Sequence, residues 1–168
     1  MNYIDIIRET LAKEKDRITA VSDQIWEFAE VRYEEQQSAE LMAKTLEEAG
    51  FDVVRNAGGI ETAFVATFGS GTPTVAFLGE YDALPSLSQE AACDYFSPVE
   101  TNGSGHGCGH NLLGAGSLAA ALAAKACMES MKLTGTLKYY GCPAEEGGGG
   151  KAFMARAGLF DGVDIAFT

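Results

Sequence analysis

Three short segments hold most of the residues whose types and spacing could do chemistry. They are Gly79-Glu-Tyr-Asp82, Gly103-Ser-Gly-His-Gly-Cys-Gly-His-Asn111 and Pro143-Ala-Glu-Glu146. Both histidines of the chain, His106 and His110, flank Cys108 in the second segment. Cys108 and His110 stand two apart on a turn with glycine at every second place, so both side chains can point toward one ion. Thiolate, imidazole and carboxylate together form the ligand set of zinc or a similar divalent metal. The adjacent Glu145 and Glu146 offer a division of labour in which one carboxylate binds metal and its neighbour takes a proton from activated water. Each signal alone has a plainer reading: paired glutamates form a solvated turn, a glycine-rich loop just turns the chain, and Asp82 caps a helix or sits in a turn. The case rests on their joint placement.

That placement depends on the elements around them. Residues 73–79 are almost continuously apolar, as expected of a strand covered on both faces. Glu80 and Asp82 follow it directly, and Glu145 and Glu146 follow a second strand at 136–142. Ligands in open α/β sheets bind beyond the carboxyl ends of the strands. If these two strands run parallel, the four carboxylates converge on one edge of the sheet. The glycine-rich segment leads into residues 111–131, apolar nearly all round, which predicts a buried helix packed closely on that sheet.

The rest of the chain supplies the frame. Ile4, Ile7, Leu11, Ile18, Val21, Ile25 and Phe28 recur at helical spacing and predict one long helix over 3–32, with a break near Glu14 and Lys15, where the apolar stripe fails. Ser38 is placed to cap a second helix with Leu41, Met42, Leu46 and Ala49 inward and Gly50 ending it. Residues 51–56 and 61–68 read as further strands, 83–109 as a long loop, 149–158 as a short helix and 163–167 as a last, buried strand. Tyr81, Tyr139 and Tyr140 read as packing residues. Strands alternating with helices indicate an α/β domain with a mixed, largely parallel sheet.

Composition narrows the function classes. A net charge of −12 argues against nucleic acid, because phosphate binding needs clustered Lys and Arg that this chain lacks. The charged N-terminus does not read as a signal peptide, and no apolar run approaches the ~18 residues of a membrane span. Four cysteines are too few for a disulfide framework, so the expected compartment is the reducing cytoplasm. Cys93 and Cys127 read as surface and packing residues. Glu145 to Lys151 resembles a phosphate-binding loop only superficially, because that motif needs Gly at 145 and Ser or Thr at 152. The glycines at 103–109 do not fit a dinucleotide fingerprint either.

The motifs Glu80-Tyr-Asp-Ala-Leu-Pro85, Gly105-His-Gly-Cys-Gly-His-Asn-Leu-Leu-Gly114 and Gly141-Cys-Pro-Ala-Glu-Glu-Gly-Gly-Gly-Gly-Lys151 together resemble the aminoacylase and carboxypeptidase metallopeptidases. More narrowly they are similar to the branch containing the p-aminobenzoyl-glutamate hydrolases and the β-alanyl-lysine dipeptidases. The resemblance implies a zinc-exopeptidase-type three-layer α/β sandwich, two divalent ions (zinc or manganese) and a smaller inserted domain serving as lid and dimer interface. It implies Cys108, His110 and Glu146 as metal ligands, Glu145 as general base and Asp82 supporting the metal site. His106 would stand behind the ligands, and Glu80 takes a place where other branches have a ligand histidine.

The expected function is therefore hydrolysis of an N-acyl or aminoacyl amide bond in a small p-aminobenzoyl-glutamate or dipeptide-like substrate, with no nucleic-acid or membrane partner. The resemblance also implies a homodimer in the full-length enzyme. Family members carry further ligand histidines downstream of Thr168, so residues 1–168 read as the N-terminal part of the catalytic domain, without the lid and the C-terminal part. Two other readings compete. One is a catalytically inactive truncated fragment acting only as a binding or structural unit. The other is a cysteine hydrolase with Cys108 as nucleophile and His106 or His110 as base.

Overall fold

A computed structural model describes residues 2–168. Helix α1 (Tyr3–Phe28) starts where the Asn2 side chain accepts from the Asp5 backbone N–H at 3.0 Å. It runs through Glu14 and Lys15 without the expected break. Glu14 pairs with Arg17 at 3.7 Å, and Arg17 reaches the Thr45 carbonyl at 2.8 Å and Glu48 at 2.9 Å, so the gap in the apolar stripe is a polar contact to the next helix. The helix ends before residue 32 because Ala29 turns left-handed (φ 45°) and donates to the Ile25 carbonyl. Its buried residues are Ile6, Val21, Ser22 and Ile25, whereas Ile4, Ile7 and Leu11 stay largely exposed.

Helix α2 (Gln36–Glu48) buries Met42 and Leu46 and is followed by Gly50 at φ 88°. Ser38 is not its cap. The Glu30 carboxylate satisfies the first turn instead, accepting from the Gln37 and Ser38 backbone N–H groups and from the Ser38 hydroxyl.

Strands β1 (Asp52–Arg55), β2 (Phe64–Ser70), β3 (Thr74–Gly79), β4 (Gly135–Gly141) and β5 (Ile165–Phe167) form one mixed sheet in the order β1-β2-β4-β3-β5. The β1–β2 and β2–β4 pairs are antiparallel; β4–β3 and β3–β5 are parallel. Side chains alternate across the sheet. Phe64, Ala66, Leu137 and Tyr139 face a core shared with α1, α2 and α3 (His110–Met131). Ala76, Tyr140 and Cys142 face the opposite side, where Ala57 of a 3₁₀ turn and Met154 of α5 (Gly150–Arg156) pack. The sheet thus lies between two helical layers, as expected. The tyrosines are packing residues: Tyr81, Tyr139 and Tyr140 are buried and donate to the carbonyls of Thr62, Gly114 and Leu159.

Helix α3 is long and apolar enough by length and composition to cross a membrane, a property the sequence reading did not assign to it. Here it lies on the sheet. Leu118 and Leu122 are buried, and the Ser117 hydroxyl donates to the Leu78 carbonyl at 2.8 Å. It is not apolar-buried all round, because Leu112 and Leu113 in its first turn are more than half exposed. Gly114 sets the approach: a Cβ there would come within 2.4 Å of the Glu80 carbonyl oxygen. Strand β5 pairs with β3 alone, and Ile165 and Phe167 are about half exposed rather than buried, since nothing among the described residues covers that edge.

Candidate metal centre

The parallel β3–β4 pair runs in register from Thr74–Thr136 to Gly79–Gly141, so both strands finish level. Glu80 and Asp82 leave the end of β3. The short helical turn α4 (Glu145–Gly148) follows β4, and α3 begins at His110, beside both. Tyr81 points into the core, which turns Glu80 and Asp82 on either side of it toward His110. The left-handed backbone of Gly109 (φ 84°) makes the turn into α3 that aims His110 inward.

His110 is 2% exposed, and its ring is fixed from both ends. Nδ1 lies 3.0 Å from the Asp82 carbonyl oxygen and 2.9 Å from Asp82 Oδ1. A carbonyl oxygen only accepts, so Nδ1 carries the proton, and a neutral His110 presents its lone pair on Nε2. Nε2 is 3.1 Å from Glu80 Oε2 and 3.7 Å from Glu145 Oε2. The second Asp82 oxygen, Oδ2, accepts from the Glu146 backbone N–H at 2.8 Å. One buried carboxylate therefore sets both the imidazole and the loop bearing the paired glutamates.

The charges respond to this crowding. Burial pushes against the His110 cation, but the Asp82 hydrogen bond and the nearby carboxylates outweigh it and raise the pKa. Burial likewise raises Asp82, and the bonds from His110 and the Glu146 N–H overcome it, leaving the carboxyl below its ordinary value. The Cys108 thiol is pushed up, first by the Glu146 carboxylate beside it and then by desolvation and the other carboxylates. An activated thiol nucleophile needs the reverse environment, which counts against the cysteine-hydrolase reading.

Two sets of donor atoms converge, each within 4.8 Å of one another: Cys108, His110 and Glu146, and Glu80, His110 and Glu145. Donors around a single zinc sit roughly 3–4 Å apart, so rotamer-scale adjustment brings the first set onto one ion. In the first set the Cys108 thiol stands within 4.8 Å of the Glu146 carboxylate, which pushes its pKa up, and a divalent cation between them would relieve that repulsion. The donors present fit a metal.

His106 joins neither set. Its Nε2 lies 2.9 Å from the Ile25 carbonyl, its ring stacks on Trp26, and burial pushes its pKa down, so it is a packed neutral histidine against α1. Two groups near the site escaped the sequence reading. Lys151 pairs with Glu80; it stood in a failed phosphate motif and at the end of the third family motif, with no role assigned. Glu35 is fully buried and accepts from the Ala144 N–H at 2.8 Å; no local pattern marks it.

Residues 76–168 match the family described as Peptidase family M20/M25/M40. The chain is 52% identical over 162 residues to a p-aminobenzoyl-glutamate hydrolase subunit of Escherichia coli (strain K12), covering 96% of this chain and 34% of that protein. Among solved structures, one from methicillin-resistant Staphylococcus aureus is similar with TM-score 0.80 and 28% identity, covering 99% of this chain and 41% of that one. The Bacillus subtilis YXEP protein, a dinuclear metal binding peptidase from the M20 family, shares the fold with TM-score 0.72 and 22% identity over 90% of this chain and 42% of its own. The chain spans about a third of the length of the curated relatives it matches.

Proposed function

This chain belongs to peptidase family M20/M25/M40, and from that premise we propose that it carries one part of the active site of a metal-dependent amidohydrolase. The substrate class is an N-acyl or aminoacyl amide, with p-aminobenzoyl-glutamate or a dipeptide-like molecule as the working case. The observation that carries the reading is the convergence of Cys108, His110 and Glu146 donor atoms within 4.8 Å, with Glu145 Oε2 3.7 Å from His110 Nε2. The 52% identity to a hydrolase of p-aminobenzoyl-glutamate supports the substrate class.

In this reading Cys108, His110 and Glu146 hold one divalent ion, zinc or manganese, and a second ion belongs to the whole enzyme. A bound divalent ion supplies Lewis acidity, which acidifies water and polarises a carbonyl. Glu145, with an exposed carboxylate beside the donors, takes the proton from the attacking water as its oxygen adds to the amide carbon. It then delivers that proton to the amide nitrogen as the C–N bond breaks, releasing a carboxylic acid and an amine. Asp82 keeps the His110 ring in the tautomer that frees Nε2.

Residues 1–168 are, on this proposal, the N-terminal part of a cytoplasmic catalytic domain whose remaining ligands, lid and dimer interface lie in further sequence. The match to about a third of the length of its relatives supports that view. The test is chelation of the whole enzyme followed by zinc or manganese return, with p-aminobenzoate release as readout. Activity lost and regained supports the proposal. Hydrolysis that survives chelation and is blocked by a thiol alkylator overturns it.

A further inference from the structure

The backbone N–H groups on either side of Glu145 are each held by a buried carboxylate. Asp82 takes the N–H of Glu146, and Glu35 takes the N–H of Ala144 at 2.8 Å from 109 residues away in sequence. Ala144 is fully buried and left-handed (φ 57°, ψ 42°), a conformation that is strained for a non-glycine residue and persists only where its surroundings impose it. A second bond comes from the same stretch of chain: the Tyr33 hydroxyl donates to the Gly148 carbonyl at 2.6 Å. Close packing adds to the hold. A Cβ on Gly148 would meet the Ala144 Cβ at 2.6 Å and the Tyr33 ring at 3.0 Å.

Glu35 is an expensive residue to use in this way. It is wholly inaccessible, and among the described residues the buried Thr62 hydroxyl beside it makes no well-formed hydrogen bond to its Oε2. Burying a carboxylate whose hydrogen bonds are incomplete opposes folding, so stability alone does not account for the residue. It sits at the junction before α2, where a side chain could have capped that helix, yet it reaches across to the loop after β4.

We propose that Glu35 and Tyr33 are positioning residues that clamp the loop 143–150 and thereby fix where Glu145 and Glu146 face His110 and Cys108. The inference rests on the roles proposed above for Glu145 and Glu146. It assigns no contact with substrate or metal to either residue. Asp82 grips the loop from the imidazole side, and the 33–35 segment grips it from behind.

The experiment combines amide hydrogen exchange over residues 143–150 in this chain with steady-state kinetics on the metal-loaded enzyme and p-aminobenzoyl-glutamate. The Ala144 amide is expected to be protected in the unsubstituted chain. Glu35→Gln retains an acceptor oxygen and should keep that protection and most of kcat. Glu35→Met matches the size without an acceptor, and with Tyr33→Phe it should speed exchange across the loop. Both should lower kcat about tenfold to a hundredfold with KM little changed, as expected for misplacement of a reacting group. Tyr33 is partly exposed, so its variant folds even if Glu35→Met does not. Free exchange of Ala144 in the unsubstituted chain, or a Tyr33→Phe variant unchanged in both exchange and kcat, overturns the proposal. Equal loss in Glu35→Gln and Glu35→Met does so too. A whole enzyme with the clamp intact and no metal-dependent hydrolysis would instead defeat the function proposed above, which the exchange data do not touch.

Discussion

Oδ1 of Asp82 lies 2.9 Å from Nδ1 of His110, and the other oxygen of the same carboxylate holds the Glu146 backbone N–H at 2.8 Å. The residue that sets the histidine's tautomer therefore also sets the loop of the paired glutamates. Asp82→Asn keeps the shape but loses the charge and half of the acceptor capacity. Partners of ligand histidines are worth about 10- to 100-fold in metal affinity or activity, so a comparable fall in zinc affinity is expected in a competitive chelator titration. An unchanged affinity would remove Asp82 from the site.

Glu145→Gln removes the only proton acceptor assigned to the reaction while leaving an exposed side chain of the same size. Turnover of the whole enzyme should fall by about 10²–10⁴, and elemental analysis should find the metal content unchanged. Hydrolysis at the original rate in this variant would defeat the assignment.

Cys108 offers a pH readout. Its thiol is exposed and pushed above the ordinary range, chiefly by the Glu146 carboxylate beside it, so at neutral pH less of it is thiolate than in a free cysteine. Alkylation of the metal-free chain should be slow at neutral pH and accelerate only above the usual thiol pKa of about 8.5. Glu146→Gln should speed it at neutral pH, and bound zinc should block it. Rapid neutral-pH alkylation of the unsubstituted chain, measured by mass spectrometry, would contradict the geometry.

Glu35 carries a stability signature of the opposite sign to Asp82. Burial, the largest influence, raises the Glu35 carboxyl against several hydrogen bonds that lower it. A raised folded pKa gives stability that is present below the unfolded value of about 4.3 and lost as pH rises through the folded value. Asp82, depressed in the fold, contributes stability above the unfolded value that is lost as pH falls. Glu35→Gln abolishes the first dependence, so its Tm relative to the unsubstituted chain should rise as the pH is raised above about 4. A Tm difference that stays flat or falls over that range would mean Glu35 is not shifted upward.

Gly114 tests the packing that brings α3 to the site. A Cβ there would meet the Glu80 carbonyl at 2.4 Å and the Met42 side chain at 3.3 Å. Gly114→Ala should destabilise by about 1–3 kcal/mol despite alanine's better helix propensity, measured by urea unfolding. Because the clash is with Glu80, zinc affinity should drop as well. Gly116→Ala, with no atom near its added Cβ, is the control and should be neutral or stabilising.

Much of this was legible in the sequence because it is written in local patterns. Periodicity located α2, α3 and the strands, and the strand-end placement of Glu80, Asp82, Glu145 and Glu146 depended only on β3 and β4 being parallel, which they are. Spacing also pointed Cys108 and His110 toward one ion, the family resemblance implied Glu146 beside them, and the fold brings the three donor atoms within 4.8 Å of one another. Two of the misreadings share one cause. Ser38 gave way to Glu30 as the cap of α2, and the break near Glu14 closed through Arg17. In both places a side chain from another element supplied what the local sequence lacked.

The sequence by itself determined which residue types stand at the strand ends, because those types and their spacing are local and chemically distinctive. Only the tertiary structure decided what each does to the others. His110 and His106 share one glycine-rich segment, yet one faces Asp82 and the other packs on Trp26, because Gly109 turns the chain between them. Glu35 looks like any polar residue before a helix until folding removes it from water and sets it against Ala144. A carboxylate's role is fixed by its partner and its burial, and for Glu35 the partner comes from chain more than a hundred residues away.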